Sequence, residues 1–460
     1  MNAVPFLLAT LSLPLLGFGA AFHPSLRAGS WPARAAAAFG LGAVLLTLGG
    51  MLLTATGIPW SVATLAAIPL AVSAAAAARW RKRTADPLPP VGAGRAARLL
   101  LLAIGGVSLA LLAWALVTGS ATSADYLFFW GVKAARFADV RGVDIPLLQW
   151  RFFWHGVVDY PPLVPIVQAF GGLAAGRFPW RTVPVTSLLW VAAGAPLVRV
   201  LLRRRLDATS AAAVTAFWTA AMSASVAASL SGANAEAPLL FFETVAVAAL
   251  LTEDANARPS RFLPALMLMG AVLTKVEGSV AAILIVLGTA ARDLVEKRAD
   301  RGRSLLRLAL PPAAAVSAWF LFQSHFGLRP GFRGHGGLFA LHFDHLGTIF
   351  ASLPIALDAG TRWVSWALPL VLLVAARPAA ARLLPALTLS IGLLAFLVFD
   401  YLHDPASPAT RIHWTAPRVS QSALSALILA GGLASLDPDR RRRRSTAREA
   451  PSDTALTAAP

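Results

Sequence analysis

Runs of roughly 20 mostly apolar residues recur along this chain, each long enough to cross the hydrocarbon core of a bilayer, with short arginine clusters between them. A chain built this way has few folds open to it, because backbone groups inside lipid must be satisfied within the segment, which restricts apolar spans of this length to helices. With 57% hydrophobic and 13% charged residues among 460, no ordinary soluble domain fits. The sequence predicts an all-α, polytopic helical membrane protein with about 13 transmembrane helices. A net charge of +18 would suggest nucleic acid in a soluble protein, but here the arginines lie in loops between apolar runs, as cytoplasmic loops require. No nucleic-acid partner is expected. The chain has no cysteine, which excludes disulfides, thiol catalysis and thiolate metal sites.

The first apolar runs cover residues 6–22, 35–56 and 60–78, and no Lys or Arg precedes the first, which argues against a cleaved signal peptide. The cluster Arg79 to Arg83 marks the next loop as cytoplasmic, so the run 99–117 travels outward and delivers Asp125 to the outer face. Residues 1–98 therefore form an N-terminal three-helix membrane segment, 99–436 a transmembrane core, and 437–460 a basic, disordered cytoplasmic tail. Outer loops are expected at 118–164, 231–237, 323–362 and 400–418. The prolines around 163–176 and its 14-residue length predict an interfacial or re-entrant piece. Short runs at 262–273 and 279–291 meet at Thr274-Lys275-Val276-Glu277-Gly278, which predicts a hairpin or broken pair whose tip lines a cavity. A basic loop is expected at 292–307. The N-terminus is placed outside and the C-terminus inside, in the cytoplasmic membrane, with the most polar loops on the periplasmic or extracellular side.

Those loops hold the candidate chemistry. Asp125 follows an outward helix among aromatics and is either a capping carboxylate or a general base. Trp130, Lys133 and Phe137 follow at helical spacing and predict a short interfacial helix, on which a snorkelling lysine is commonplace. His155 and Asp159 are four apart, a spacing that suits an acid/base pair or two metal ligands on one helix face. A metal would need a third ligand such as Asp125 or Glu236. Tyr160-Pro161-Pro162 forces an extended turn. Glu236 and Glu243, seven apart, share a face if a helix starts near Ala235. Glu243 lies inside an apolar run, where a carboxylate is a functional candidate or a buried structural group in equal measure. Lys275 with Glu277 is either a structural ion pair or, in a cavity, a point charge for a phosphate. Arg411, His413 and Arg418 frame the last outer loop, where positive charge runs against the usual bias and suits an anionic ligand.

Together these stretches resemble the GT-C class of integral-membrane glycosyltransferases, which use polyprenyl-phosphate sugars and include protein O-mannosyltransferase-like and lipid A aminoarabinose transferase-like families. The residues that carry the resemblance are Asp125 with Trp130 and Lys133, the run Asp159 to Pro165, Asn234 to Leu239, Leu273 to Gly278, and His413 to Gln421. The resemblance spans Asp125 to about Gln421, roughly two thirds of the chain. The resemblance implies that Asp125 is the catalytic base and that Lys275 and Arg418 hold the lipid phosphate. Asp159 would share the catalytic loop, and Lys133, His155, Tyr160, Glu236, Glu243, Glu277 and His413 would bind or orient substrate. The first three helices have no counterpart in the shared pattern.

The expected function is transfer of a sugar from a polyprenyl-phosphate donor to a hydroxyl on an envelope glycan, lipid or protein, on the outer face and with inversion. Membrane lipids are the remaining partners. No cofactor is expected and no metal is assigned, since Asp125 lacks a second acidic neighbour, although a divalent cation stays open as an alternative. A lipid-linked sugar flippase or transporter is the rival reading, which would place charges and broken helices near the midplane in both halves of the chain.

Overall fold

The computed structural model describes residues 2–27, 29–83, 94–122, 124–150, 160–253, 261–328, 340–361, 363–376, 380–404 and 407–436. The chain begins with α1 (Ala3–Leu11), α2 (Leu13–Leu16), α3 (Pro24–Arg27), α4 (Trp31–Ala55) and α5 (Val62–Trp80). Next come α6 (Arg95–Leu100) and α7 (Val107–Val117), joined by a π-helical stretch, then α8 (Gly131–Val140), α9 (Ile145–Gln149) and α10 (Leu163–Ala175). The middle of the chain forms α11 (Thr186–Leu202), α12 (Ala208–Ala228), α13 (Glu236–Leu251), α14 (Phe262–Thr274) and α15 (Val276–Val295). It closes with α16 (Arg301–His325), α17 (Leu346–Thr361), α18 (Trp363–Ala376), α19 (Ala380–Leu402) and α20 (Ala409–Leu436). Among the described residues there is no strand, only one isolated parallel bridge between Thr122 and Gly232. Among the described residues nine helices are long and apolar enough to cross a membrane, or ten if α17 and α18 count as one bent span. This is a multi-pass helical membrane protein. Other apolar runs form helices shorter than a single crossing, among them Ala3–Leu16 and Phe262–Thr274.

The bundle is organised around α13, every residue of which is buried. It packs against α11, α14, α15, α19 and α20. Lipid tails are as apolar as leucine, so helices associate here through close packing. Glycine makes the closest approaches. A Cβ on Gly42 would stand 2.0 Å from the Leu13 carbonyl oxygen, and one on Gly278 2.0 Å from that of Ala271.

Opposite ends of α13 carry different charge clusters. At its C-terminal end Arg292 donates to the Leu250 carbonyl at 2.6 Å and to Glu253, and Arg261 is paired with Asp293 at 2.6 Å. These arginines sit where helix C-termini favour positive charge, and Arg205 adds a 2.6 Å bond to the Glu253 carbonyl. His23 lies at this end too, stacked on Phe262 (ring centroids 4.1 Å) and edge-on to Trp80. Burial and the nearby Arg83 lower its pKa to about 4. The other end of α13 begins with Glu236.

Several sequence expectations need correction. The expected short piece at 163–176 is α10, too short for a single crossing, with its first ten residues buried and α8, α1 and α4 packed against it. The loop expected at 292–307 is short, because α15 continues to Val295 and α16 starts at Arg301, and Arg292 is buried by its carboxylate and carbonyl partners. The last outer loop is likewise short: α19 runs to Leu402 and α20 starts at Ala409, so Arg411, His413 and Arg418 are helical. In each case polar residues extend a helix beyond its apolar run, which hydropathy alone does not register. Of the expected pair 262–273 and 279–291, only the first leg is short. The second, α15, begins at Val276 and is 20 residues long.

Candidate functional site

The cluster at the N-terminal end of α13 is assembled from four distant parts of the chain. Backbone pairing brings the first two together. The Gly232 amide donates to the Ala121 carbonyl at 2.9 Å, which ties the segment after α7 to the turn before α13. That turn holds Leu230 and Ala233 in the left-handed region (φ 51° and 66°). It is braced by Ser187, whose hydroxyl accepts from the Ala233 amide, and by Gln168, whose amide donates to the Ala233 carbonyl. Asp125 and Glu236 are thereby carried to the same end of the bundle. Asp125 immediately precedes a π-helical turn, Tyr126–Trp130, which is anchored by a 2.8 Å bond from the Tyr126 hydroxyl to the Trp180 carbonyl.

The third part is the break between α14 and α15. Lys275 alone is extended there (φ −158°, ψ 157°), and Glu277 follows in the first turn of α15, where a helix N-terminus favours negative charge. Lys275 Nζ lies 2.8 Å from Glu277 Oε1 and 3.3 Å from Glu236 Oε1. The fourth part is α20. Arg418 binds Glu236 through Nε at 2.9 Å and Nη2 at 2.7 Å, and uses Nη1 to bind Asp125. Three carboxylates thus share two cations. Glu236 is buried between both cations, whereas the Asp125 side chain is 48% exposed.

An aromatic wall borders the cations. Tyr160 stacks on Trp130 with ring centroids 5.5 Å apart and planes 9° apart, and Lys275 Nζ is 5.6 Å from the Tyr160 ring centre. Phe129 packs edge-on against both rings. Trp130 and Phe129 are buried, so this wall serves as a rigid backing that holds the Tyr160 ring against the Lys275 ammonium.

Glu243 lies on the same face of α13 as Glu236, as their spacing predicts, and both line a cavity of about 10 Å³, enough for one water. Lys275, Glu277, Arg418 and Ser422 share that cavity. Ser422 lies beside Glu243, yet neither carboxyl oxygen of Glu243 makes a hydrogen bond of ordinary geometry. A buried polar group without partners costs several kcal/mol in an apolar environment.

Asp125, Tyr160, Glu236, Glu243, Lys275, Glu277 and Arg418 therefore meet in one place. Lys133 is close by but differently used: it is buried, with Nζ 4.3 Å from the Phe129 ring centre, rather than snorkelling at a surface. Its neighbours on α8, Gly131, Ala134 and Phe137, form that helix's buried face. His413 is exposed, with Trp414 as its ring neighbour, and is not among the residues that line the cluster's cavity. His155 and Asp159 lie outside the described residues. Both of the third ligands considered for a metal with them, Asp125 and Glu236, are engaged by Arg418. Ser422 escaped the sequence reading, although its four-residue spacing from Arg418 on a helix was the available signal. A larger cavity of about 420 Å³, lined by Thr54, Pro59, Arg136, Arg141 and Asp144 among others, includes no cluster residue.

No protein-family model, curated protein or solved structure matches this chain.

Proposed function

We propose that this protein is a glycosyltransferase of the GT-C kind, with about 13 membrane-embedded segments. It moves a sugar from a polyprenyl-phosphate donor to an envelope hydroxyl on the outer face of the cytoplasmic membrane. The observation that carries this reading is the single guanidinium of Arg418 shared between half-exposed Asp125 and buried Glu236. In the resting arrangement Asp125 faces Arg418. A donor phosphate offers the same guanidinium a better-matched anion, so its arrival takes Nη1 from Asp125 while Glu236 keeps Nε and Nη2 oriented. Asp125 is then free to accept the proton of the acceptor hydroxyl. The acceptor oxygen forms the new bond to the anomeric carbon as the bond to the phosphate oxygen breaks, and the donor leaves as polyprenyl phosphate. Arg418 and Lys275 stabilise the charge that develops on it. One displacement inverts the anomeric centre. Trp130 backs the Tyr160 ring, which borders the Lys275 ammonium, and Glu277 holds Lys275 in place.

Transfer of labelled sugar from a polyprenyl-phosphate donor, in membranes holding wild type or Asp125→Asn at matched levels, tests this. General-base loss lowers transfer by roughly 10²- to 10⁴-fold. Wild-type membranes that transfer nothing to any envelope fraction would sink the reading.

One observation favours a second reading, a lipid-linked sugar flippase or transporter. Glu243 is a buried carboxyl with no charged partner of its own among the described residues, next to a broken helix pair and beside Ser422, a combination suited to coupling ions or protons to transport. Glu243→Gln separates the two. A transferase keeps its transfer rate within a few-fold, since Glu243 lies behind Glu236 and Lys275, whereas a coupled carrier loses transport.

A further inference from the structure

We propose that His342, Asp344 and His345 form a binding site for one divalent transition-metal ion, Zn²⁺ being the representative case. The site is separate from the carboxylate and arginine cluster and does not depend on the function proposed above.

Local backbone geometry creates it. The 3-10 turn Phe343–His345 is closed by a 3.1 Å bond from the His345 amide to the His342 carbonyl. A 3-10 turn eclipses positions i and i+3, so the two imidazoles come to lie side by side, with centroids 5.2 Å apart and planes 21° apart. Asp344 Oδ2 stands 3.7 Å from His345 Nε2. One ligand atom from each of the three residues lies within 4.8 Å of the others, and among the described residues no other group of three such side chains meets this condition. With bonds of about 2.0–2.1 Å, ligand atoms around tetrahedral zinc are about 3.3 Å apart, so small side-chain rotations complete the set.

A second observation points to a ligand. The Nδ1 atom of His345 is buried and has no hydrogen-bond partner among the described residues, in a side chain that is 14% exposed. An imidazole normally satisfies both ring nitrogens, and a metal on one of them orients the other. Two imidazoles and one carboxylate, without thiolate, suit zinc and its first-row neighbours. Asp344 is 78% exposed, which leaves coordination positions open to water.

The site would also join helices. The His342 amide donates to the Leu402 carbonyl at 2.8 Å, fixing the turn on the last residue of α19. Two residues earlier, Asp400 accepts from Arg411 of α20 at 2.7 Å. A metal held by the turn that opens α17 therefore sits where α17, α19 and α20 converge, and α20 is the helix that carries Arg418.

The test uses the full chain, purified in detergent with a tag that lacks histidine, stripped with EDTA and titrated with Zn²⁺ alone by calorimetry at neutral pH. One equivalent is expected. His342→Ala and His345→Ala should each weaken binding by roughly 100-fold or more, beyond the roughly 10- to 100-fold that loss of an outer hydrogen-bond partner costs. His403→Ala and His413→Ala should leave it unchanged. Because a histidine variant can lose its fold, the wild type is also titrated with Co²⁺, whose visible absorption reports imidazole and carboxylate ligation. Absence of both a zinc isotherm and a cobalt band in the wild type overturns the site, as does unchanged zinc affinity in a well-folded His345→Ala protein.

Discussion

Arg418 donates from Nη1 to the carboxylate of Asp125, joining the last helix to the segment before α8 across 293 residues of chain. The same guanidinium holds buried Glu236 with its other two nitrogens. A planar fork with donors on separate edges can serve two carboxylates at once, which a lysine ammonium cannot do with fixed direction.

Replacing Arg418 tests that distinction. Arg418→Lys keeps the charge and is expected to fold, but it cannot hold Glu236 and address a phosphate together. In the proposed transferase, sugar transfer should fall by roughly 100-fold, the scale of one lost transition-state donor. Arg418→Ala leaves Glu236 with Lys275 alone, and breaking a buried pair from one side costs roughly 3–5 kcal/mol. Its thermal midpoint in detergent should drop clearly, and adding Glu236→Gln should recover part of the loss. Equal midpoints for the single and double variants would show that the contact is energetically idle.

Tyr160 is expected to act through its ring. Tyr160→Phe preserves the stack on Trp130 and the face toward Lys275, so transfer should stay within a few-fold of wild type. Tyr160→Ala removes an aromatic pair and a cation–π contact, each on the order of 1 kcal/mol, and should raise the apparent KM for donor roughly tenfold or more. A Phe variant as damaged as the Ala variant would assign the role to the hydroxyl instead.

Gly278 fixes the approach of α15 to α14 beside Lys275. A Cβ there meets the Ala271 carbonyl oxygen at 2.0 Å and its carbon at 2.5 Å, both backbone atoms that cannot rotate away. Gly278→Ala should lower stability at the upper end of the roughly 1–3 kcal/mol typical of overpacking. Gly302→Ala, in α16 with nothing within 4 Å of the added Cβ, should be neutral or slightly stabilising. Thermal melts of the two purified variants compare them directly.

His23 should make the arginine-rich end sensitive to acid. Its folded pKa is lowered to about 4 from 6.5, chiefly by burial and then by Arg83. Between those values the unfolded chain binds the proton and the folded chain does not, so stability rises with pH across that window. The contribution is fully present above pH 6.5 and is lost as pH falls toward 4. His23→Phe keeps an aromatic ring against Phe262 and Trp80 and should flatten the profile of midpoint against pH between those limits. A profile as steep as that of the wild type would place the acid sensitivity elsewhere.

Much of this protein is legible in its residue order, and for a clear reason. Crossing a bilayer demands long apolar helices, and a charge kept inside such a chain demands a partner or a role. Hydropathy therefore leads directly to a multi-pass helical protein, and the rarity of Asp125, Glu236, Glu243, Lys275 and Arg418 in apolar or outer stretches singles them out. The break at Lys275 and the shared face of Glu236 and Glu243 follow from local periodicity alone.

Periodicity states which way a side chain faces and is silent about what it meets. That Arg418 reaches Asp125 and Glu236, while His413 five residues earlier faces outward, depends on how α20 is rotated against α13. That rotation is set by close packing along the whole bundle. Lys133 is a surface cation by sequence and a buried one in the fold, because Phe129 and its own helix turn it inward. The meeting of His342 with His345 rests on a 3-10 turn that a composition of loop residues does not announce. Local chemistry selected the residues. Their partners came from long-range packing, whose contacts are spread over hundreds of residues and are therefore absent from any short stretch of sequence.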